Sequence, residues 1–207
     1  NLLDLSELGM MSSTIARFLK KATNLGKNFL ISGSTQAGKT TLLNAMLASL
    51  SAGNRIITVE EVFELKPNLP DVVALQTKAP NQSGHGEIPL RKLIKEALRM
   101  RPSRLVVGEN REAESLDLLI ALNSGIPGAA TIHANSASDA ILKIQTLPLL
   151  AGENITHNFV APLVSQCLDF IVHLSIDQFG VRRISEIKGI TKRLENNVVE
   201  SETIFYW

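Results

Sequence analysis

The chain contains a single cysteine, Cys167, so it can build neither an internal disulfide nor a cysteine-based metal cluster, and a reducing, cytoplasmic setting is the default expectation. Aromatic residues make up only 4% of the sequence and the net charge is +1. Both values are low for a protein that grips nucleic-acid strands, which takes basic grooves and stacking rings. No apolar run approaches the roughly 18–20 residues of a membrane-spanning helix, and the opening residues do not read as a signal peptide. Any membrane contact is therefore expected to be peripheral. His85, His133, His157 and His173 are scattered without metal-ligand spacing, which argues against zinc. The first residue is Asn1 rather than Met, so the chain is expected to be a piece of a longer protein.

What is present is apolar residue in quantity: 44% of 207 positions, enough for one sizeable core. Ser12–Lys27 reads as an amphipathic helix with Ile15, Phe18, Leu19 and Ala22 on one face. The run Asn28–Ser32 reads as a buried strand, followed by a glycine-bearing turn and a second helix carrying Leu42, Leu43, Met46, Leu47 and Leu50. Further strands are predicted at Arg55–Val59, Val72–Gln76, Arg104–Gly108 and Ala129–His133, and helices at Ile88–Met100, Ala113–Asn123 and Ser138–Thr146. This alternation implies an α/β fold with a mostly parallel sheet flanked by helices. The tail changes character. Phe170–Ser175, Val181–Ile190 and Glu202–Trp207 read as consecutive strands, a C-terminal antiparallel extension, with Gly180 in the first hairpin turn. The polar loop Lys78–Gly86 is the candidate mobile segment.

Gly33-Ser34-Thr35-Gln36-Ala37-Gly38-Lys39-Thr40 matches the Walker A pattern G-x-x-x-x-G-K-[ST] in full, between a strand and a helix. Glycines let backbone N–H groups turn toward phosphates, and the following helix offers its positive end. Lys39 is placed to bridge the β- and γ-phosphates, the Thr40 hydroxyl to ligate magnesium (Mg2+), and Thr41 to lie near the α-phosphate. The expected substrate is ATP with magnesium.

Two acidic clusters follow strands, where open parallel sheets gather ligand sites. Glu109, at the end of RLVVG, stands where a Walker B carboxylate is expected, emerging beside Thr40 to hold the metal. Glu60, the first acid after RIITV, is the candidate general base, and Glu64 is the candidate partner of an arginine. Arg111 is expected to shape the site. Arg99, Arg101 and Arg104 read either as a solvated helix end or as a cationic edge reaching a neighbouring subunit. His133 ends its strand within hydrogen-bonding reach of a γ-phosphate, close to Thr131 and Asn135.

Together these segments resemble the RecA-like C-terminal motor domain of the secretion and pilus-assembly ATPases, and within that superfamily the CpaF-like ATPases of tight-adherence (Tad/Flp) pili. The likeness rests on the Walker A at Gly33–Thr40, an aspartate box at Ile57–Leu65, an atypical Walker B at Leu105–Arg111, a histidine box at Thr131–Asn135, and Glu96–Pro102 (EALRMRP). It runs from about Asn28 to Leu174. The resemblance implies an oligomeric, usually hexameric, RecA-like P-loop ATPase acting on inner-membrane platform proteins from the cytoplasmic face. It further implies that Glu60 is the catalytic glutamate, Glu109 the Walker B glutamate and His133 the box histidine. Two positions depart from the family pattern: Glu61 where Asp is usual, and Asn110 where an aliphatic residue is usual. On this reading residues 1–27 are a lead-in from an N-terminal domain and residues 28–207 the motor domain. Two other functions fit the same motifs: a nucleic-acid-stimulated P-loop ATPase of RecA-like or conjugative type, and a nucleotide-binding assembly module with little hydrolysis.

Overall fold

A strand that is apolar on both faces is stable only between two layers of cover, and this chain supplies helices for both. The computed structural model describes residues 1–207. In chain order the elements are α1 (Leu2–Glu7), α2 (Ser13–Asn24), β1 (Phe29–Gly33), α3 (Lys39–Leu47), β2 (Arg55–Glu60) and β3 (Asp71–Gln76). They continue as α4 (Leu90–Ala97), β4 (Arg104–Asn110), α5 (Glu114–Asn123), β5 (Gly128–His133) and α6 (Ala137–Thr146). The last are α7 (His157–Cys167), β6 (Phe170–Ile176), β7 (Arg182–Glu195) and β8 (Val198–Tyr206). All eight strands form one sheet in the order β3-β2-β4-β5-β1-β6-β7-β8. The first six in that order run parallel, and β7 and β8 add antiparallel at one edge.

Side-chain alternation divides the core. Phe29, Ile31, Ile56 and Val106 face the layer of α1, α2 and α3, where Leu19, Leu42 and Met46 are fully buried. Leu30, Ile57, Val107 and Ile171 face the other layer, filled by Ile94 of α4, Leu118 of α5, Ile144 of α6 and Val164 of α7. The fold class read from the sequence is the one found: a mixed, mostly parallel sheet flanked by helices, with an antiparallel extension.

Two helices lie outside the sequence expectation. α7 carries Pro162 in its interior, and with Pro148 and Gly152 upstream its turn signals mask a helical pattern. It forms because Val160, Ala161 and Val164 are buried against the sheet, a tertiary gain that outweighs poor propensity. α1 is only six residues long, closed by an Asn1 capping box, and its Leu2 and Leu5 are buried. The residues that follow are tied in by a backbone bond from Ile184 N to Met10 O, 2.9 Å. β4 also runs two residues past the expected Gly108, through Glu109 to Asn110.

Arg104 corrects one expectation. It begins β4, at the end of the sheet opposite the phosphate loop, and is 2% exposed. Its Nη2 donates to Thr23 O at 2.8 Å and its Nη1 to Lys27 O at 3.2 Å and Gly128 O at 3.4 Å. Burial pulls its pKa down to about 10. It therefore ties α2 to the sheet and cannot serve as a cation reaching a neighbour. Replacing it by methionine leaves three carbonyls without this donor, and a loss of about 3 kcal/mol is expected. By calorimetry Arg104→Met should melt roughly 6–12 °C below the parent chain, and a shift under about 2 °C would show the contacts to be dispensable.

Candidate functional site

The loop after β1 has the backbone that its sequence demands. Gln36 and Gly38 take φ of +63° and +93°, and Gly38 is the N-cap of α3, whose first turn has no side-chain cap. The first N–H groups of that helix are thus left for an anion. Gly33 admits no side chain, since a Cβ there would lie 2.6 Å from Leu174 O and 3.2 Å from Ala37 Cβ. Ala37 is fully buried beneath the loop. Lys39 Nζ folds back over it, donating to Gly33 O at 3.1 Å and Ser34 O at 2.9 Å. Burial lowers the Lys39 pKa, opposed by the Glu109 carboxylate and aided by Arg111.

The acids converge on this loop from two neighbouring strands. A cavity of about 910 Å³ is lined by Lys39, Thr40, Glu60, Glu64, Glu109 and Arg111 together with the residues beside them. Thr35, Gln36, Gly38 and Thr41 border it as well, and so does Thr131 of β5. His133 does not: it is exposed, level with Gly33 on the adjacent strand, and its carbonyl accepts from Lys143 Nζ at 3.0 Å.

Within the cavity the carboxylates are arranged differently from the expectation. Glu60 is 2% exposed. Its Oε2 accepts the backbone amides of Glu64 at 2.8 Å and Leu65 at 2.9 Å, holding the turn after β2. Its Oε1 is buried without a protein partner, at a cost of about 1–3 kcal/mol. Glu64 pairs with no arginine. It accepts instead from the Thr40 hydroxyl at 3.0 Å, so Glu64 stands directly beside Thr40, and Glu109 lines the same cavity. Glu109 accepts from Arg111 Nη2 at 2.5 Å and Nε at 2.9 Å, while Arg111 Nη1 reaches Glu61 at 3.1 Å. The hydrogen bonds that Arg111 donates to the Glu109 carboxylate raise the Arg111 pKa. Arg111 stands between two acids, bonded to both.

A bulge explains where Glu109 points. β4 and β5 pair Val107 with Ala130 and then Asn110 with Ile132, so Gly108 and Glu109 together oppose Thr131. The extra residue turns the strand end, as bulges beside sites do. Thr131 Oγ1 secures it by donating to Gly108 O at 2.6 Å. A Cβ on Gly108 would meet Glu60 Cγ at 2.9 Å, so Gly108 makes room for Glu60. Sequence reasoning also missed Arg182, whose Nε donates to Gln36 O at 2.7 Å across 146 positions. No local pattern marks such a contact.

No group of three His, Cys, Asp or Glu side chains could hold a metal unaided. The set beside Thr40 nevertheless suits magnesium, which takes hard oxygens and is commonly held by one or two protein groups plus substrate phosphates.

A family model described as Type II/IV secretion system protein matches residues 1–192. The chain belongs to this family. Within it, the putative conjugal transfer protein Rv3659c of Mycobacterium tuberculosis (strain ATCC 25618 / H37Rv) is 41% identical over 171 residues, covering 82% of this chain and 48% of that protein. The type IV secretion system protein VirB11 of Bartonella quintana is 34% identical over 158 residues, covering 75% and 44%. The chain therefore spans about half the length of the curated relatives it matches. Among solved structures, the VirB11 ATPase of the Brucella suis type IV secretion system in complex with sulphate superposes with a TM-score of 0.75 at 28% identity, covering 90% of this chain and 54% of that one. The pilus retraction motor PilT with bound ADP shares the fold at a TM-score of 0.59 and 23% identity, covering 90% and 50%.

Gly108→Ala tests the dependence of the site on Glu60. The added methyl displaces Glu60 and with it the turn carrying Glu64, so nucleotide turnover should fall about 100-fold. Nucleotide affinity by calorimetry should stay near the parent value, because the loop after β1 is untouched. Unchanged turnover would show that Glu60 holds nothing that matters.

Proposed function

We propose that this chain is the ATP-hydrolysing motor module of a secretion or pilus-assembly machine. One observation carries the reading: the turn after β2 delivers Glu64 to the Thr40 hydroxyl at the mouth of the phosphate loop. Membership of a secretion family and similarity to proteins named as secretion ATPases support it.

In this reading the α3 amides and Lys39 hold the β- and γ-phosphates, Lys39 exchanging its two loop carbonyls for phosphate oxygens. Thr40, with Glu109 lining the same cavity, would hold magnesium. When bound, that ion neutralises charge on the phosphates. Glu64 takes the proton from a water as its oxygen adds to the γ-phosphorus, and the bond to the bridging oxygen breaks to give ADP and phosphate. Glu60 acts by position: it anchors the Glu64 turn through Oε2. Glu109 holds Arg111 where its guanidinium offsets charge developing on the γ-phosphate. The assignment of general base thus moves from Glu60 to Glu64, because a carboxylate already accepting two amides is less free to take a proton. His133, outside the cavity lining, is assigned no step.

The wider setting follows from the same resemblance. Motifs shared with CpaF-like ATPases favour a tight-adherence pilus system. Such a motor would work as a homo-oligomer, hexameric by family likeness, on platform proteins at the cytoplasmic face of the inner membrane. No helix is long and apolar enough to cross a membrane, consistent with peripheral attachment. Residues 1–27 would lead in from a preceding domain that completes the site.

Phosphate release with ATP and magnesium tests the chemistry. Lys39→Ala should abolish nucleotide binding, whereas Glu64→Gln should keep binding and lose about 100-fold or more in turnover. Glu60→Gln should lose less, since an amide oxygen still accepts the two N–H groups. Equal rates for Glu64→Gln and the parent would remove Glu64 as the base, and turnover that rises per subunit with protein concentration is expected if neighbours complete the site.

A further inference from the structure

The phosphate loop is held from beneath and scarcely from the side. Ala37 is fully buried, whereas Ser34, Thr35 and Gln36 are exposed, so packing does not fix these three residues. Within the loop, Ala37 N donates to Ser34 O at 3.3 Å. Lys39 Nζ takes the Gly33 and Ser34 carbonyls, and in the reading above it gives them up when phosphate arrives. The one hydrogen bond that reaches Ser34–Ala37 from outside the loop and its helix comes from Arg182, whose Nε donates to Gln36 O at 2.7 Å.

Gln36 is also the residue that needs holding. Its φ is +63°, a left-handed conformation that residues with a side chain seldom adopt unaided. That turn, with Gly38 at +93° after it, swings successive loop amides to one side, where they form a concavity for an anion.

Arg182 itself extends from a hairpin that is braced independently of the loop. Asp177 Oδ1 accepts from Phe179 N at 2.8 Å and Val181 N at 2.9 Å. Asp177 N donates to Val181 O at 3.0 Å, and Gly180 N donates to Asp177 O at 2.9 Å. Arg182 pairs with Ile176 across the β6–β7 ladder. Its stem then lies against the loop, since a Cβ on Gly38 would stand 3.4 Å from Arg182 Cδ.

We infer that Arg182 is a positioning residue of the phosphate loop. Through Gln36 O it keeps the left-handed turn in its anion-holding form, so the antiparallel extension of the sheet helps set the affinity for the phosphates of a nucleotide. This deepens the proposed function and rests on its reading of the loop.

Steady-state hydrolysis of magnesium ATP and calorimetric titration with magnesium tripolyphosphate, which has neither base nor sugar, test the role in the 207-residue chain. Arg182 is exposed, so Arg182→Ala should melt within about 2 °C of the parent. It should bind tripolyphosphate about tenfold more weakly and raise the KM for ATP by the same factor, with kcat within about twofold. That split marks a residue serving ground and transition states alike. In a Gln36→Gly background the left-handed turn no longer needs support, and removing Arg182 should cost less than about threefold. Unchanged tripolyphosphate affinity in Arg182→Ala overturns the inference, whether or not ATP is weakened, because Arg182 would then act elsewhere on the nucleotide or not at all. A loss that stays at about tenfold in the Gln36→Gly background also overturns it, since Arg182 would then touch the phosphates directly. If the parent chain takes up no tripolyphosphate, or Lys39→Ala takes it up equally well, the phosphate-loop reading itself fails.

Discussion

The site depends on one buried carboxylate. Glu60 closes β2 inside the protein, and its two hydrogen bonds to the Glu64 and Leu65 amides set the path of the turn that follows. Remove that acceptor and the turn keeps only its tether to Asn44 of α3. Glu60 in turn needs space on β4 that only a glycine at position 108 leaves. A backbone position on one strand thereby governs where a side chain of the next element points.

The surrounding geometry follows from sheet order. With β5 between β1 and β4, the acids at the ends of β2 and β4 line one cavity with the phosphate loop, and Lys39 makes an ion pair with none of them. That lysine satisfies itself on the loop carbonyls. Its pKa is lowered chiefly by burial, so bringing phosphate to it restores the partner that burial withholds. Glu109 and Glu61 meanwhile hold Arg111 between them, keeping a cation at the mouth without placing it in the loop. Arg111 and its two acids are thus paired with one another, which limits the desolvation that each would otherwise suffer.

Behind the site, two apolar layers keep the strand ends in register. Arg104 shows how firmly: a guanidinium at the far end of β4 joins α2, the loop after it and β5 by three carbonyl contacts. The antiparallel β7–β8 pair extends the sheet on the side of the phosphate loop away from the acids, and its first residue reaches back to Gln36. An extension that looks peripheral in the chain is therefore in contact with the loop after β1.

Local order was legible from the residues alone. The phosphate loop, the parallel strands and the antiparallel tail are written in short-range patterns: glycine spacing, β-branched runs, helical periodicity. These depend on neighbours in the chain, which the sequence contains. α7 was not legible, because Pro162 contradicts a helix that only burial against the sheet stabilises. The arrangement of acids was not legible either. Glu60, Glu64 and Glu109 are equally acidic on paper, and their differences come from a bulge opposite Thr131, a glycine facing Glu60 and a turn capped by a carboxylate. The sequence by itself determined which groups gather at one end of the sheet. Only the tertiary structure decided which faces the substrate, because that choice is made by packing between strands distant in the chain.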